Sequence, residues 1–267
     1  MLNRKQLRTI SLLAAIAVPM AGLMMTACSH NPPAYQRPVR TYKKDPVQAA
    51  QANMQLALEY MKLGQLATAR ESIERALAED GSNANVQLTA GLVYERVNEM
   101  DKAEHAYQTA IRLGRNDPNI ANAYAGFLCR RGKTAAGEKL FNEVARNPLY
   151  QTPEIALVNA GVCVRSAGNL LDADRYFTHA LAIHPNMPEA LLQSGNVAID
   201  RGDAAQARDI VQRYLAVNPP TPEVLWLGFR AQRKLGDNVA AAVYARRVQT
   251  EFPDSEQARN MRNGVDR

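Results

Sequence analysis

The chain has 267 residues, with 32 lysines and arginines against 26 aspartates and glutamates and a formal net charge of +6. The excess is confined to the N-terminus, because residues 1–27 hold three basic residues and no acid, and residues 29–46 hold four basic residues and one acid. The rest of the chain carries 25 charges of each sign. It is neutral, which excludes a basic domain that binds a nucleic-acid backbone.

The N-terminus has the layout of an export signal. Residues 1–9 are basic, and residues 10–27 contain no charged side chain. A basic segment followed by an apolar one is typical of a secretory signal. The apolar run ends in Thr26 and Ala27, directly before Cys28. This resembles the lipobox of bacterial lipoproteins, in which signal peptidase cuts before a cysteine whose thiol carries a diacylglycerol. We therefore predict a signal peptide over residues 1–27; an uncleaved signal anchor is the alternative.

By the same resemblance, Cys28 is lipidated and the protein is held at the periplasmic face of the outer membrane. Ser29, rather than a retaining aspartate, follows the cysteine. The lipoprotein sorting machinery is then an expected partner. Residues 28–47 hold four prolines and four basic residues, a composition that favours an extended tether. Its basic side chains would suit anionic headgroups, and a plain spacer is the alternative.

From residue 48 the chain repeats at intervals of 34 residues, with one interval of 36 around NPLYQTPE, residues 147–154. The markers are Gly64, Asn98, Gly132, Gly168, Gly202 and Gly236. A small residue usually stands seven positions before each marker, with Phe229 as the exception, and a small residue followed by a larger one comes after it. This pattern resembles the tetratricopeptide repeat, in which two antiparallel helices pack closely and successive repeats stack. We predict an all-α, right-handed superhelix of six repeats over residues 48–253, with a short capping helix and tail over residues 254–267.

The combination of lipobox, six repeats and two segments, YAGFLCRRGK and NPLYQTPEIALVNAGVC, resembles the type IV pilus biogenesis and stability lipoproteins, the pilotins. The resemblance implies an adaptor that binds the type IV pilus secretin. It also implies that the adaptor promotes outer-membrane localisation and multimerisation of the secretin, as pilus biogenesis and twitching motility require. The alternative is another periplasmic scaffold, an adaptor for cell-wall hydrolases or for barrel assembly.

No catalytic motif stands out in the sequence. There is no GxGxxG, phosphate-binding loop or HExxH pattern. The histidines are scattered, without a cysteine or carboxylate at ligand spacing: His30, His105, His179 and His184. We expect no catalytic site, metal, cofactor or small-molecule substrate, because function requires a site and none is visible. An enzyme whose site escapes sequence inspection is the remaining alternative.

A repeat array of this kind usually binds its partner on the inner surface formed by the first helices. Counting along each repeat places five apolar side chains of the first two repeats there: Met54, Leu58, Met61, Leu88 and Leu92. Later repeats place polar and aromatic side chains there, among them Asn119, Asn122, Trp226, Arg230 and Arg233. We predict an apolar, methionine-rich groove for an apolar strand or helix. The alternative is that these side chains only pack between neighbouring helices.

Two cysteines remain once Cys28 is assigned to lipid. Cys129 is the twelfth residue of the third repeat and Cys163 the tenth of the fourth, so both lie late in first helices that stack side by side. In an oxidising periplasm such a pair is a disulfide candidate. The alternative is two free, buried cysteines that act as small apolar side chains.

Overall fold

The structure, a computed structural model, describes residues 45–115 and 117–264. All regular secondary structure in these two ranges is α-helical. The thirteen helices found there are α1 (Pro46–Lys62), α2 (Leu66–Asp80), α3 (Ala84–Arg96), α4 (Met100–Leu113), α5 (Pro118–Arg130), α6 (Thr134–Ala145), α7 (Pro153–Ser166), α8 (Leu170–Ile183), α9 (Pro188–Asp200), α10 (Ala204–Val217), α11 (Pro222–Leu235), α12 (Asn238–Glu251) and α13 (Glu256–Asn263). The predicted all-α fold of six helix pairs and a short final helix is confirmed. Cys28, the predicted signal peptide and most of the predicted tether lie outside the described residues.

The helices begin where the sequence supplies caps. The Asp45 carboxylate accepts a hydrogen bond from the backbone N–H of Val47 at 3.0 Å. Pro46 then opens α1 at a position where no backbone N–H is needed. α1 therefore begins two residues before the predicted start of the first repeat at residue 48.

The residue that separates the two helices of each repeat adopts left-handed backbone geometry. The φ angle of Gly64 is 72°, and Asn98, the asparagine at the equivalent position, has a φ of 61°. The other four markers share this geometry: Gly132, Gly168, Gly202 and Gly236. Glycine, and after it asparagine, adopt this conformation at the least cost. The period in the sequence therefore marks the sharp turn within each helix pair.

The two helices of a repeat approach each other most closely where a glycine faces an aromatic ring. A Cβ atom added to Gly91 would lie 2.9 Å from the ring of Tyr107, and one added to Gly161 would lie 2.5 Å from Phe177. Both rings are fully buried. The small and large positions of the repeat pattern therefore fit into each other across the pair.

The last repeat makes the same contact one residue earlier on each helix. Gly228 faces Tyr244, and a Cβ atom on Gly228 would lie 2.7 Å from that ring. Phe229 and Ala245, which hold the regular small and large positions, are only half-buried. The exception at Phe229 is therefore a shift of the contact rather than its loss.

The array curves with the first helix of each pair on its inner surface. Consecutive first helices contact one another along the row α1, α3, α5, α7, α9 and α11. Within the described residues, consecutive second helices do not meet and contact only helices of their own and the next repeat, apart from the final contact of α12 with α13. Because the first helices lie closer together than the second, they form the concave side. Below, "inner surface" means the exposed side of these six helices.

The buried core is divided along the array into four clusters. Three of them are large and are centred on repeats one and two, repeats four and five, and repeats five and six. The fourth joins repeats three and four and contains only Ala125, Phe141, Ala160 and Cys163 as buried members. The longer connection of residues 146–152 lies at this junction and carries the exposed Leu149. The junction between the third and fourth repeats therefore holds the smallest of the four buried clusters.

We predict opposite effects for two glycine-to-alanine changes on neighbouring first helices. Gly161→Ala should lower the free energy of unfolding by about 1–2 kcal/mol, because its methyl group overlaps the buried Phe177 ring. The control, Gly126→Ala, meets only the flexible end of Arg130 at 3.1 Å and should gain up to about 1 kcal/mol from helix propensity. Urea unfolding followed by circular dichroism measures both. Equal effects of the two changes would contradict the role assigned to this close contact.

Candidate protein-binding groove

The five predicted groove residues lie on α1 and α3, and all are half-buried. Met54, Met61, Leu88 and Leu92 pack against the first core cluster. Leu58 lies one turn from both Met54 and Met61 along α1, on the same face of that helix. The side chains are thus neither fully buried nor free, and each leaves part of its apolar surface exposed. Leu92 also lines the cleft described next, which places it on the inner surface.

A cleft of about 550 Å³ continues this surface into the third and fourth repeats. Leu92 and Val162 form apolar parts of its wall, and Asn122 and Asn159 form polar parts. The Asn159 amino group donates a hydrogen bond to the Asn122 side-chain carbonyl at 3.2 Å. This bond leaves the Asn122 amino group and the Asn159 carbonyl to bind peptide groups. The repeat count identified Asn122 as inward-facing but missed Asn159, which lies one position outside the slots that were counted.

A disulfide between Cys129 and Cys163 forms part of the cleft wall. It joins α5 to α7, and the two Cα atoms are 5.4 Å apart. A Cβ atom on Gly137 of α6 would overlap the Cys129 sulfur, so the glycine makes room for the bond. The disulfide connects the third and fourth repeats at the junction that holds the smallest buried cluster.

Ion pairs connect the two disulfide-linked helices, α5 and α7, to the first helices of the neighbouring repeats. Arg130 Nε lies 2.5 Å from Glu95 Oε1, which links α5 to α3, and the Tyr107 hydroxyl donates to the same carboxylate at 3.1 Å. The hydrogen bond to Glu95 raises the pKa of Arg130, and burial raises the pKa of Tyr107. Arg165 and Asp200, 2.6 Å apart, link α7 to α9. Because Arg130 is paired with Glu95, the rim of the cleft carries little net charge.

The described residues offer no obvious place for metal or acid–base chemistry. No group of three histidine, cysteine, aspartate or glutamate side chains within them could hold a metal ion. His105, His179 and His184 are exposed, and His30 lies outside the described ranges. The lack of enzymatic activity stays a prediction.

Comparisons with known proteins identify the repeat and its relatives. Tetratricopeptide repeat models match residues 54–119 and 165–232. The crystal structure of PilW, a widely conserved type IV pilus biogenesis factor, superposes with a TM-score of 0.69 and 30% identity, covering 80% of this chain and 98% of PilW. The type IV pilus assembly protein PilF of Pseudomonas aeruginosa is 24% identical over 221 residues, which are 82% of this chain and 87% of PilF. This chain belongs to the tetratricopeptide repeat family and is a homologue of PilW and PilF.

Two further matches, one to a solved structure and one to a sequence, extend the comparison. The solved structure of Pseudomonas aeruginosa PilF has a TM-score of 0.63 and 22% identity, covering 83% of this chain and all of that one. An uncharacterised protein of Haemophilus influenzae is 24% identical over 119 residues, 45% of this chain and 66% of its own length. Among the described residues, no helix is both long enough and apolar enough to span a membrane.

We expect the folded protein to have no free thiol at Cys129 or Cys163. Reduction should lower the free energy of unfolding by about 4 kcal/mol, because it releases a loop of 34 residues in the unfolded chain. Mass spectrometry after alkylation of the folded, unreduced protein gives the thiol state, and urea unfolding with and without reductant gives the stability.

The control is the double variant Cys129→Ala, Cys163→Ala, whose stability should no longer respond to reductant. Two alkylated thiols in the natively exported, folded chain would contradict the disulfide.

Proposed function

We propose that this protein is a pilotin: an outer-membrane lipoprotein that binds the type IV pilus secretin and promotes its localisation and multimerisation in the outer membrane. In this role it is a non-catalytic adaptor. The homology to PilW and PilF supports a part in type IV pilus biogenesis. The match to PilW, which extends over 98% of that protein, carries the proposal because it includes the whole repeat array rather than a single repeat.

The inner surface has the properties that an adaptor for an apolar segment requires. Its first two repeats expose parts of Met54, Leu58, Met61, Leu88 and Leu92. Methionine and leucine adapt to partners of different shape, and an amphipathic helix or an extended segment can lay its apolar face on such a surface. The cleft that follows has paired charges and two asparagine amides, which suits a neutral stretch of peptide.

In this proposal the lipid anchor localises the protein to the outer membrane. The groove binds the partner and so brings it to the same membrane. Acylation of both the Cys28 thiol and the new amino terminus would give more than one lipid chain, which stable anchoring needs. A secretin subunit bound to the groove then travels with the lipoprotein and is concentrated at the membrane. Neighbouring subunits held in this way meet at high local concentration, which favours ring assembly.

The first experiment tests the anchor. Cys28→Ala should leave the protein in the periplasm or uncleaved at the inner membrane, and secretin multimers should be reduced or misplaced. Membrane fractionation, labelling with radioactive palmitate and immunoblotting of secretin multimers give the three readouts in a strain whose own copy is deleted. If the Cys28→Ala protein still fractionates with the outer membrane and still incorporates radioactive palmitate, the proposed lipidation site is wrong.

The second experiment tests the groove. Leu58→Asp and Leu92→Asp should each weaken secretin binding by at least about tenfold, because a buried carboxylate without a partner opposes the contact. Pull-down from detergent-solubilised membranes identifies the partner, and titration of the purified secretin periplasmic region gives the affinity.

Leu171→Asp provides the matched control. Leu171 is 66% exposed on α8, a second helix, so the same change there should leave binding intact. Circular dichroism must show that each variant remains helical. If a folded Leu58→Asp, Leu92→Asp double variant binds the secretin as tightly as the parent protein does, the groove is not the binding site. Capture of a cell-wall hydrolase or a barrel-assembly protein instead of the secretin would replace the pilotin role with another scaffold role.

A further inference from the structure

The last repeat carries a second recess, at the opposite end of the array from the apolar groove. It has a volume of about 410 Å³ and lies among α11, α12 and α13. Its wall is formed by Phe229, Arg233, Ala245, Gln249, Met261, Arg262, Asn263 and Gly264. We call it the C-terminal pocket. Its volume is in the range that binds small ligands or a few residues of a peptide.

The shifted helix contact of the last repeat explains why this pocket exists. In the second and fourth repeats, a buried aromatic side chain fills the large position, as Tyr107 and Phe177 do. In the last repeat that position is Ala245, since Gly228 and Tyr244 make the close contact instead. The small side chain of Ala245 leaves space beside α12, and Phe229 turns its ring into that space as part of the pocket wall.

Aromatic and cationic side chains meet at the pocket. The rings of Trp226 and Phe229 stack with their centroids 5.3 Å apart. The Arg233 guanidinium lies over the Phe229 ring, 5.9 Å from its centroid. This contact holds the guanidinium at the rim of an apolar floor that also includes Met261.

Three basic side chains at or beside the pocket form no ion pair with any described acidic residue. Arg233, Lys234 and Arg262 are exposed, and within residues 45–115 and 117–264 no carboxylate lies within ion-pair distance of them. Arg262 Nη1 donates to the backbone carbonyl of Pro253 at 3.1 Å, which orients the side chain toward the end of α12. Arg230 lies beside this cluster, 3.8 Å from Asp200. Within the described residues, the basic side chains at the pocket therefore lack acidic partners, in contrast to the paired rim of the central cleft.

We propose that the C-terminal pocket binds a peptide segment in which a carboxylate side chain stands next to an aromatic or large apolar one. The guanidinium groups of Arg233 and Arg262 can each form a bidentate pair with a carboxylate, through two parallel hydrogen bonds. Phe229 and Met261 supply the surface for the neighbouring apolar side chain. Gln249 and Asn263 offer amide donors and acceptors for the peptide backbone. This inference goes beyond the proposed pilotin function and does not depend on it.

Fluorescence anisotropy with defined peptides tests the proposal on the purified full chain. The probe is fluorescein-labelled Gly-Ser-Phe-Asp-Glu-Leu with an amidated C-terminus, and the comparison peptide replaces Asp-Glu with Asn-Gln. We expect the acidic peptide to bind at least about tenfold more tightly, since hydrogen bonds to charged groups contribute more than neutral ones. Its affinity should fall as salt rises. Equal affinity for both peptides, or no binding of either at millimolar concentration, would overturn the proposal.

Charge reversal separates the pocket from general attraction to a basic surface. Arg233→Glu and Arg262→Glu should each weaken the acidic peptide at least about tenfold. Arg233→Glu should also bind a Phe-Lys-Lys version of the peptide better than the parent chain does. Arg246→Glu is the matched control, because Arg246 is exposed on α12, next in sequence to Ala245 but outside the pocket wall. An equal loss in Arg246→Glu would overturn the assignment.

Two further measurements separate the C-terminal pocket from the apolar groove and from a lipid-binding surface. Leu58→Asp should leave binding of the acidic peptide unchanged, although it should weaken binding of the secretin. The hypothesis of the apolar groove and the hypothesis of the C-terminal pocket can therefore be rejected separately. Vesicles of phosphatidylglycerol in phosphatidylcholine test a lipid headgroup as the ligand. Vesicle binding that Arg233→Glu abolishes, without any binding of the acidic peptide, would overturn the peptide proposal and assign the pocket to the membrane surface.

Discussion

The structure depends on the close approach of the two helices in a repeat, which is tightest against an aromatic ring in the second, fourth and sixth repeats. A glycine or alanine on the first helix leaves room for a large side chain of the second, as between Gly161 and Phe177. Helices that pack so closely form a thin pair with apolar side chains on both flanks. Such a pair cannot cover its own apolar surface and must stack on its neighbours. The inner surface then consists of first helices alone, which is why the named side chains of the apolar groove and the central cleft come from α1, α3, α5 and α7. The C-terminal pocket is different, because α12 and the final helix α13 form its wall together with α11.

The junctions between repeats are not equal, and the covalent connection lies at the junction with the smallest buried cluster. Between the third and fourth repeats the buried cluster is small, and the connecting segment contains Pro148 and is followed by Pro153, the first residue of α7. The disulfide between Cys129 and Cys163 joins the two inner helices there. Ion pairs of Arg130 with Glu95 and of Arg165 with Asp200 connect the helices on either side. Covalent and ionic contacts thus follow one line across the middle of the inner surface, along the wall of the central cleft.

The sequence is sufficient to predict the repeats, because each obeys local rules that repeat at fixed spacing. The turn glycines, Asn98 and the register of the two cysteines all follow from the period. The period cannot predict side-chain contacts between two repeats, because these contacts depend on the relative orientation of the repeats. Asn159 lies outside the counted slots, yet it meets Asn122 across the cleft. The C-terminal pocket requires the position of α13, which has no counterpart in the repeats.

The division of the core into separate clusters has a consequence for motion. In a stacked array the free energy of local opening depends on nearest neighbours, so a terminal repeat, which has only one, opens at lower cost than a central one. Amide hydrogen exchange should accordingly be fastest in α1, α2 and α13 and slowest near Cys129 and Cys163. The start of the apolar groove on α1 and the C-terminal pocket lie on these more labile ends, whereas the central cleft lies beside the disulfide. Each end can loosen and close again around a ligand while the covalently joined centre keeps the two halves in register.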